Sequence, residues 1–209
     1  MLPTPASGPF DDPAYLFEPW WPGTRVIAVV AGGRVRLQAD ELADVAAAFP
    51  ELADLPGRLA ATDAILEGIV LVLGRGGRPD PELLRRRLAD PRERPGSAAF
   101  VATDLLAVDG RRTSRRPFAH RRDRLGALVQ SSGRCTVSRG YPGEGRTLAT
   151  AAAELGFRWL SAHRLDAPYR SGPAGDAWFR VPTTESGVDA PEPSLPPILA
   201  VFRRLPLGE

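Results

Sequence analysis

The chain has 209 residues, 43% of them hydrophobic, and its 27 basic and 25 acidic side chains leave a formal net charge of +2. That length suits one sizeable domain with short extensions, and so small an excess does not by itself mark a nucleic-acid binder. All 27 basic residues are arginine. No side-chain amine is therefore available for a Schiff base or a phosphoramidate, and guanidinium, which stays protonated, is a poor nucleophile.

The single cysteine, Cys135, excludes an internal disulfide and a cysteine-rich zinc site, and the two histidines lie far apart in sequence. The start, MLPTPASGPF, lacks the basic and apolar regions of a signal peptide, and no apolar stretch approaches the ~20 residues of a membrane span. These features lead us to expect a cytoplasmic protein that uses neither metal nor membrane.

Residues 1–14 carry four prolines without periodicity and read as an arm that is loose or ordered on contact. The runs Arg25 to Val30 and Arg34 to Leu37 flank Ala31-Gly32-Gly33 and predict a hairpin. Leu42, Val45, Ala46 and Phe49 then recur at helical spacing, predicting a helix from Asp40 that Pro50 stops. Ile65 to Leu73 reads as a strand interrupted by Gly68, followed by a turn over GRGGRPD. Asp80 as N-cap and Pro81 open a helix to Leu88 with Arg85, Arg86 and Arg87 on its polar face.

Ala99 to Val108 is the next predicted strand, ended by Asp109-Gly110. The basic run Arg111, Arg112, Arg115 and Arg116 follows, before a Pro117-led helix to Gln130. That run reads as a solvated face or helix-entry loop, or as a set of phosphate contacts. Asp104 and Asp109 read as a strand cap and a turn residue rather than a catalytic pair. Further strands are predicted at Arg134 to Ser138, Phe157 to Ala162 and Ala177 to Val181, with a helix from Leu148 to Leu155. A Pro-rich linker after Thr183 leads to a short helix, Ile198 to Leu205. Strands and helices mix without regular alternation, without a phosphate-gripping glycine motif and without an internal repeat. An α+β fold with largely antiparallel sheets is the expectation.

In this order the segments resemble the adenylation domain of ATP-dependent DNA ligases, particularly the bacterial end-joining type. The family's E-x-K-x-D-G-x-R corresponds to Glu18 through Arg25, with Trp20 at the nucleophilic lysine and Pro22 at the aspartate. Its V-L-D-G-E corresponds to Ile65 through Ile69, and its F-x-x-F-D-L-L to Phe100 through Leu106. The late segment LGFRWLSAHRLDAPYR is similar to E-G-x-V-A-K-x-x-D-S-x-Y, with Arg158 at the glutamate and His163 at the lysine. Trp178, Arg180 and Pro182 stand at W-x-K-x-K. The likeness covers most of residues 14–181.

The resemblance implies a ligase-type nucleotidyltransferase fold, ATP-grasp-like, with antiparallel sheets flanked by helices. It places Glu18 near an adenine base, Arg25 near ribose or phosphates and Gly23 in a turn beside the ligand; His163, Arg180 and Trp20 complete the candidate ATP-binding set. The family's lysine amine attacks the α-phosphate of ATP, which Trp20 cannot do. The metal-supporting carboxylates are replaced by Ile69 and Arg158, so no metal is expected. Apart from this ligand role, Glu18 and Arg25 also read as a structural salt bridge, and the tryptophans as fillers of pocket or core volume.

The expected organisation is an arm over 1–14, a degenerate adenylation domain over 15–182, and a linker with a short helix over 183–209. The 27 residues after Pro182 are too few for an oligonucleotide-binding barrel. The functional expectation is a non-catalytic nucleotide- or DNA-binding accessory of DNA repair and recombination. Nicked or broken duplex DNA and DNA-repair proteins are the candidate partners. Residual ligase or adenylyltransferase activity within a complex, and a protein-interaction domain with a filled cleft, are the alternatives.

Overall fold

This computed structural model describes residues 1–39 and 43–184; the helix expected at Ile198 to Leu205, the linker from residue 185, and residues 40–42 lie outside them. In chain order the strands are β1 Thr4–Pro5, β2 Asp12–Pro19, β3 Thr24–Ala31, β4 Arg34–Gln38, β5 Ala64–Leu73, β6 Ser97–Val108, β7 Arg111–Arg112, β8 Cys135–Val137, β9 Tyr141–Gly143, β10 Trp159–Arg164 and β11 Trp178–Pro182. The helices are α1 Pro81–Ala89, α2 Phe118–Leu128 and α3 Gly145–Glu154. They fall into two compact units. The first comprises Met1–Trp21, Arg116–Phe118 and the described part of Arg139–Glu209; the second comprises Pro22–Arg115 and Ala119–Ser138.

In the second unit the sheet order is β4-β3-β5-β6-β7, all antiparallel, with β8 running parallel to β6. The β3–β4 hairpin closes at Gly32 and Gly33, whose φ values of 57° and 71° suit the paired left-handed residues of a tight turn. Gly68 is required by packing: a Cβ there would lie 2.5 Å from the Phe100 ring and 2.6 Å from the Val101 carbonyl oxygen. Phe100 thereby stays fully buried in a core with Val26, Leu66, Val70 and Leu125. Asp80 caps α1 as its sequence position predicts, its Oδ1 accepting from the backbone N–H groups of Glu82 and Leu83 at 3.0 and 3.1 Å.

Two expectations are corrected in this unit. The described part of the segment expected as a helix from Asp40 contains a short 3-10 turn, Ala46–Ala48, and a longer 3-10 segment, Pro50–Arg58, begins where a stop was expected. Pro56, inside the segment, lacks the N–H that an α-helix would use, while Leu52 and Leu55, three residues apart, are both buried. Arg87, expected on a polar face, is 1% exposed. Its guanidinium donates to the carbonyls of Pro95 and Gly96, each at 2.8 Å, and pairs with Glu51 at 2.7 Å. The burial is tolerable because these donors are satisfied.

In the first unit the sheet order is β1-β11-β10-β2-β9, antiparallel except where β1 pairs with β11. The segment expected as an arm is ordered by contact. Thr4 and Pro5 join the sheet edge, and β2 begins at Asp12, before the expected boundary. The aromatic side chain of Phe10 meets those of Tyr15, Phe17 and Phe179 edge-on, with ring centroids 5.5, 5.1 and 6.0 Å away. The chain therefore forms a mixed α+β fold with antiparallel sheets flanked by helices. No described helix is long and apolar enough to cross a membrane.

Candidate functional site

Strand alternation selects one face of the first unit's sheet. Ser161 stands opposite both Glu18 and Arg180, His163 opposite Leu16 and Trp178, and Trp159 opposite Pro182. Opposed residues share a face, as do residues two apart along a strand. Glu18, Trp159, Ser161, His163, Trp178, Arg180 and Pro182 thus belong to one surface. Trp20 follows β2 and extends its pairing, its N–H donating to the Trp159 carbonyl at 3.0 Å.

A column of rings crosses this surface. Phe118 stacks on His163 at a centroid distance of 4.4 Å, His163 on Trp178 at 4.9 Å, and Trp178 on Trp20 at 5.9 Å; interplanar angles are 18°, 16° and 21°. Phe118, His163 and Trp178 are buried, whereas Trp20 is half-buried. Ser161 fixes the column laterally: its Oγ accepts the Trp178 indole N–H at 2.6 Å. Beside it, the Arg180 guanidinium lies 4.5 Å from the Trp159 ring centroid, in cation–π range. Glu18 is 1% exposed.

Five sequence-predicted site residues therefore sit together in this unit: Glu18, Trp20, His163, Arg180 and Pro182. Arg158 lies just before β10, half-buried, and its carbonyl accepts the Thr183 N–H at 2.9 Å. Sequence reading missed Phe118 and Ser161. Counting by twos along β10 from His163 would have found Ser161, but nothing local announces that Phe118 stacks on His163.

Gly23, Arg25 and Ile69 belong to the second unit. Arg25 Nε donates to Glu67 Oε1 at 2.7 Å, so the guanidinium is engaged with the residue at the family's V-L-D-G-E aspartate. Gly23 has no positive φ; a Cβ there would lie 2.6 Å from Ile69 Cγ2 and would overlap the Val70 carbonyl oxygen, so the missing side chain permits close strand approach. Asp104, expected as a strand cap, is instead buried with Arg121. Burial raises its carboxyl above the ordinary value, and the hydrogen bonds and charge of Arg121 pull the other way. Asp109 does hold a turn, at φ 44°, accepting the N–H groups of Thr62 and Asp63.

Of the basic run, Arg111, Arg112 and Arg115 are exposed in the second unit, and Arg116 is exposed in the first. Arg121 is buried, and Arg122 donates to the carbonyls of Thr103 and Ser138 at 3.3 and 2.5 Å. All four residues of the run are thus exposed, and the arginines turned inward belong to the helix that follows it. Among the described residues no group of three or more His, Cys, Asp or Glu side chains is placed to hold a metal ion. Neither Ile69, in the second unit, nor Arg158, in the first, carries a side-chain oxygen that could ligate a divalent cation.

No protein-family model matches the chain. LigD of Mycobacterium tuberculosis, a multifunctional non-homologous end joining DNA repair protein, is 30% identical over 166 residues, 79% of this chain and 21% of LigD. A DNA ligase of Thermococcus fumicolans is 31% identical over 185 residues, 83% of this chain and 33% of that protein. Among solved structures, mycobacterial DNA ligase D complexed with ATP and MES gives a TM-score of 0.74 at 27% identity, over 87% of this chain and 59% of that one. The chain spans a fifth to a third of these two relatives' lengths. Fold, motif order and likeness together give this chain a nucleotidyltransferase domain like that of ATP-dependent DNA ligases, similar to the ligase domain of bacterial end-joining LigD.

Proposed function

We propose that this domain is a non-catalytic DNA-repair accessory module that contacts DNA through its exposed arginines and forms no lysyl-adenylate. The ring column carries this reading. Positions 20 and 163, where the resemblance puts two lysines, belong to one aromatic stack, and the chain contains no lysine elsewhere. An indole has no amine to attack phosphorus. Ile69 and Arg158 bring no carboxylate oxygen for a metal ion. ATP is then a candidate ligand and not a substrate.

The DNA part of the reading rests on the LigD likeness and on Arg111, Arg112 and Arg115. Among the described residues these three make no ion pair, which leaves their guanidinium groups available for phosphates. DNA-repair proteins are candidate partners on the same likeness. A protein-interaction domain is the second reading, favoured by the burial of Trp21 and Trp178.

Intact-mass spectrometry after incubation with ATP and Mg²⁺ or Mn²⁺ tests the catalytic part: no adenylate adduct is expected, and an adduct would overturn it. Fluorescence anisotropy with a nicked duplex tests the DNA part. Binding should weaken as salt rises, and each Arg→Ala change at 111, 112 or 115 should reduce the salt slope by about one. Absence of binding even at low salt would favour the protein-interaction reading.

A further inference from the structure

We infer that Ser114 is a phosphoacceptor for arginine-directed protein kinases, and that its phosphate withdraws the neighbouring arginines from DNA. The second half rests on the DNA reading above, whereas the first stands without it. Arg111 and Arg112 lie three and two residues before Ser114, and Arg115 follows it directly. Ser114 is the one serine or threonine of the chain with arginine at both preceding positions. Kinases of this class recognise a substrate by pairing acidic side chains of their own with guanidinium groups ahead of the acceptor hydroxyl. Such recognition needs arginines that are not already engaged. Arg85, Arg86 and Arg92 are paired with Glu82, Glu93 and Asp90, whereas Arg111, Arg112 and Arg115 are exposed and, among the described residues, make no ion pair.

The structure separates two adjacent hydroxyls. Thr113 is 5% exposed and its Oγ1 donates to the Leu105 carbonyl. Ser114 is half-buried in the turn after β7, where its backbone N–H donates to the Leu106 carbonyl at 3.1 Å, and its hydroxyl makes no hydrogen bond among the described residues. β7 is two residues long and pairs with the end of β6, so releasing it to lie extended in a kinase cleft costs little. In the transfer, Ser114 Oγ bonds to the γ-phosphorus of ATP as the bond to the bridging oxygen breaks. ADP leaves, and the hydroxyl proton passes to the catalytic aspartate of the kinase. The product adds about two negative charges at neutral pH and a set of strong acceptor oxygens beside Arg111, Arg112 and Arg115. Guanidinium groups bonded to that phosphate are no longer available to a DNA phosphate.

The test incubates the purified chain with ATP, Mg²⁺ and the catalytic subunit of cyclic-AMP-dependent protein kinase, then reads intact mass and affinity for a nicked duplex. Phosphate should be taken up only when the kinase is present, and tandem mass spectrometry should place it on Ser114. Ser114→Ala should take up none, and Arg111→Ala combined with Arg112→Ala should slow the transfer roughly tenfold. Circular dichroism verifies that the variants fold. No phosphate on the wild type, with a standard peptide substrate phosphorylated in the same tube, would overturn the acceptor; so would uptake by Ser114→Ala equal to that of the wild type. The phosphorylated chain should bind the duplex about tenfold more weakly at low salt than the untreated chain. Kinase treatment of Ser114→Ala should leave its affinity unchanged. Equal affinity before and after phosphorylation would uphold the acceptor and overturn the switch. Failure of the untreated chain to bind DNA would overturn the DNA reading and the switch with it, while the mass measurement still decides the acceptor.

Discussion

Arg121 grips Asp104 side-on, Nε on one carboxylate oxygen and Nη2 on the other, each at 2.8 Å, with both side chains buried. Such a pair costs much desolvation to bury, so its net contribution is small, but removing one member strands the other charge. Arg121→Met should destabilise the protein by about 3–5 kcal/mol, and Arg121→Met with Asp104→Leu by much less. Urea denaturation of the wild type, single variant and double variant measures both. A single-variant loss below about 1 kcal/mol, the scale of an exposed pair, would contradict the burial.

Ser161→Ala removes the acceptor of the buried Trp178 N–H. An unsatisfied donor of this kind costs about 1–3 kcal/mol. The same change should loosen the ring column, visible as a weaker near-ultraviolet circular dichroism signal from the Trp20–Trp178 pair. Ser161→Thr, which keeps the hydroxyl, should retain most of that signal.

Gly68→Ala should cost at least the roughly 1–3 kcal/mol typical of overpacking, because the new methyl meets the Phe100 ring and the Val101 carbonyl. Gly57→Ala, where a Cβ has nothing within 4 Å, is the control. Thermal melts of the two variants should separate clearly; equal melting temperatures would refute the packing argument.

The Glu51 carboxyl is subject to opposing influences. Burial raises its pKa, but hydrogen bonds from Arg87 and the Ala98 N–H, together with the charge of Arg87, leave it below the ordinary value. A depressed carboxyl contributes stability that is present above the unfolded pKa of about 4.3 and is lost as pH falls through the folded value. Glu51→Gln should flatten the acid side of the stability curve, as read from urea midpoints measured between neutral pH and about pH 3.

Cys135 is buried, and that burial pushes its thiol up to about 12. The thiolate is the reacting form, so labelling by a thiol reagent at pH 8 should be very slow in the native protein and rapid in denaturant. Fast native labelling would place the thiol at the surface.

The elements easiest to read from the sequence were those whose cause is local. The Gly32-Gly33 turn, the Asp80 cap and the Asp109 turn each depend on backbone conformation or on a side chain bonding to nearby peptide groups. Residues 46–58 were misread because helical spacing does not distinguish an α-helix from 3-10 turns broken by prolines. Arg87 was misread because burial of a guanidinium depends on carbonyls and carboxylates that only the tertiary fold supplies. The substitutions at positions 20 and 163 were plain in the sequence. That the replacements stack on one another follows from strand pairing, which residue identity alone does not reveal.

The common face of β10 and its neighbours also limits which sequence changes this chain can absorb. Point substitutions leave the side of the sheet untouched, so aromatic residues can replace others at positions 159, 163 and 178 one at a time without refolding the strand. Losing one residue within β10 would instead exchange Trp159, Ser161 and His163 for Arg158, Leu160 and Ala162 over part of the strand, turning a guanidinium and two aliphatic groups toward Trp178. Length variation should therefore be excluded from β10 and confined to the loop between Arg164 and Trp178. In this strand one aromatic ring can stand in for another, but the count between Trp159 and His163 cannot change.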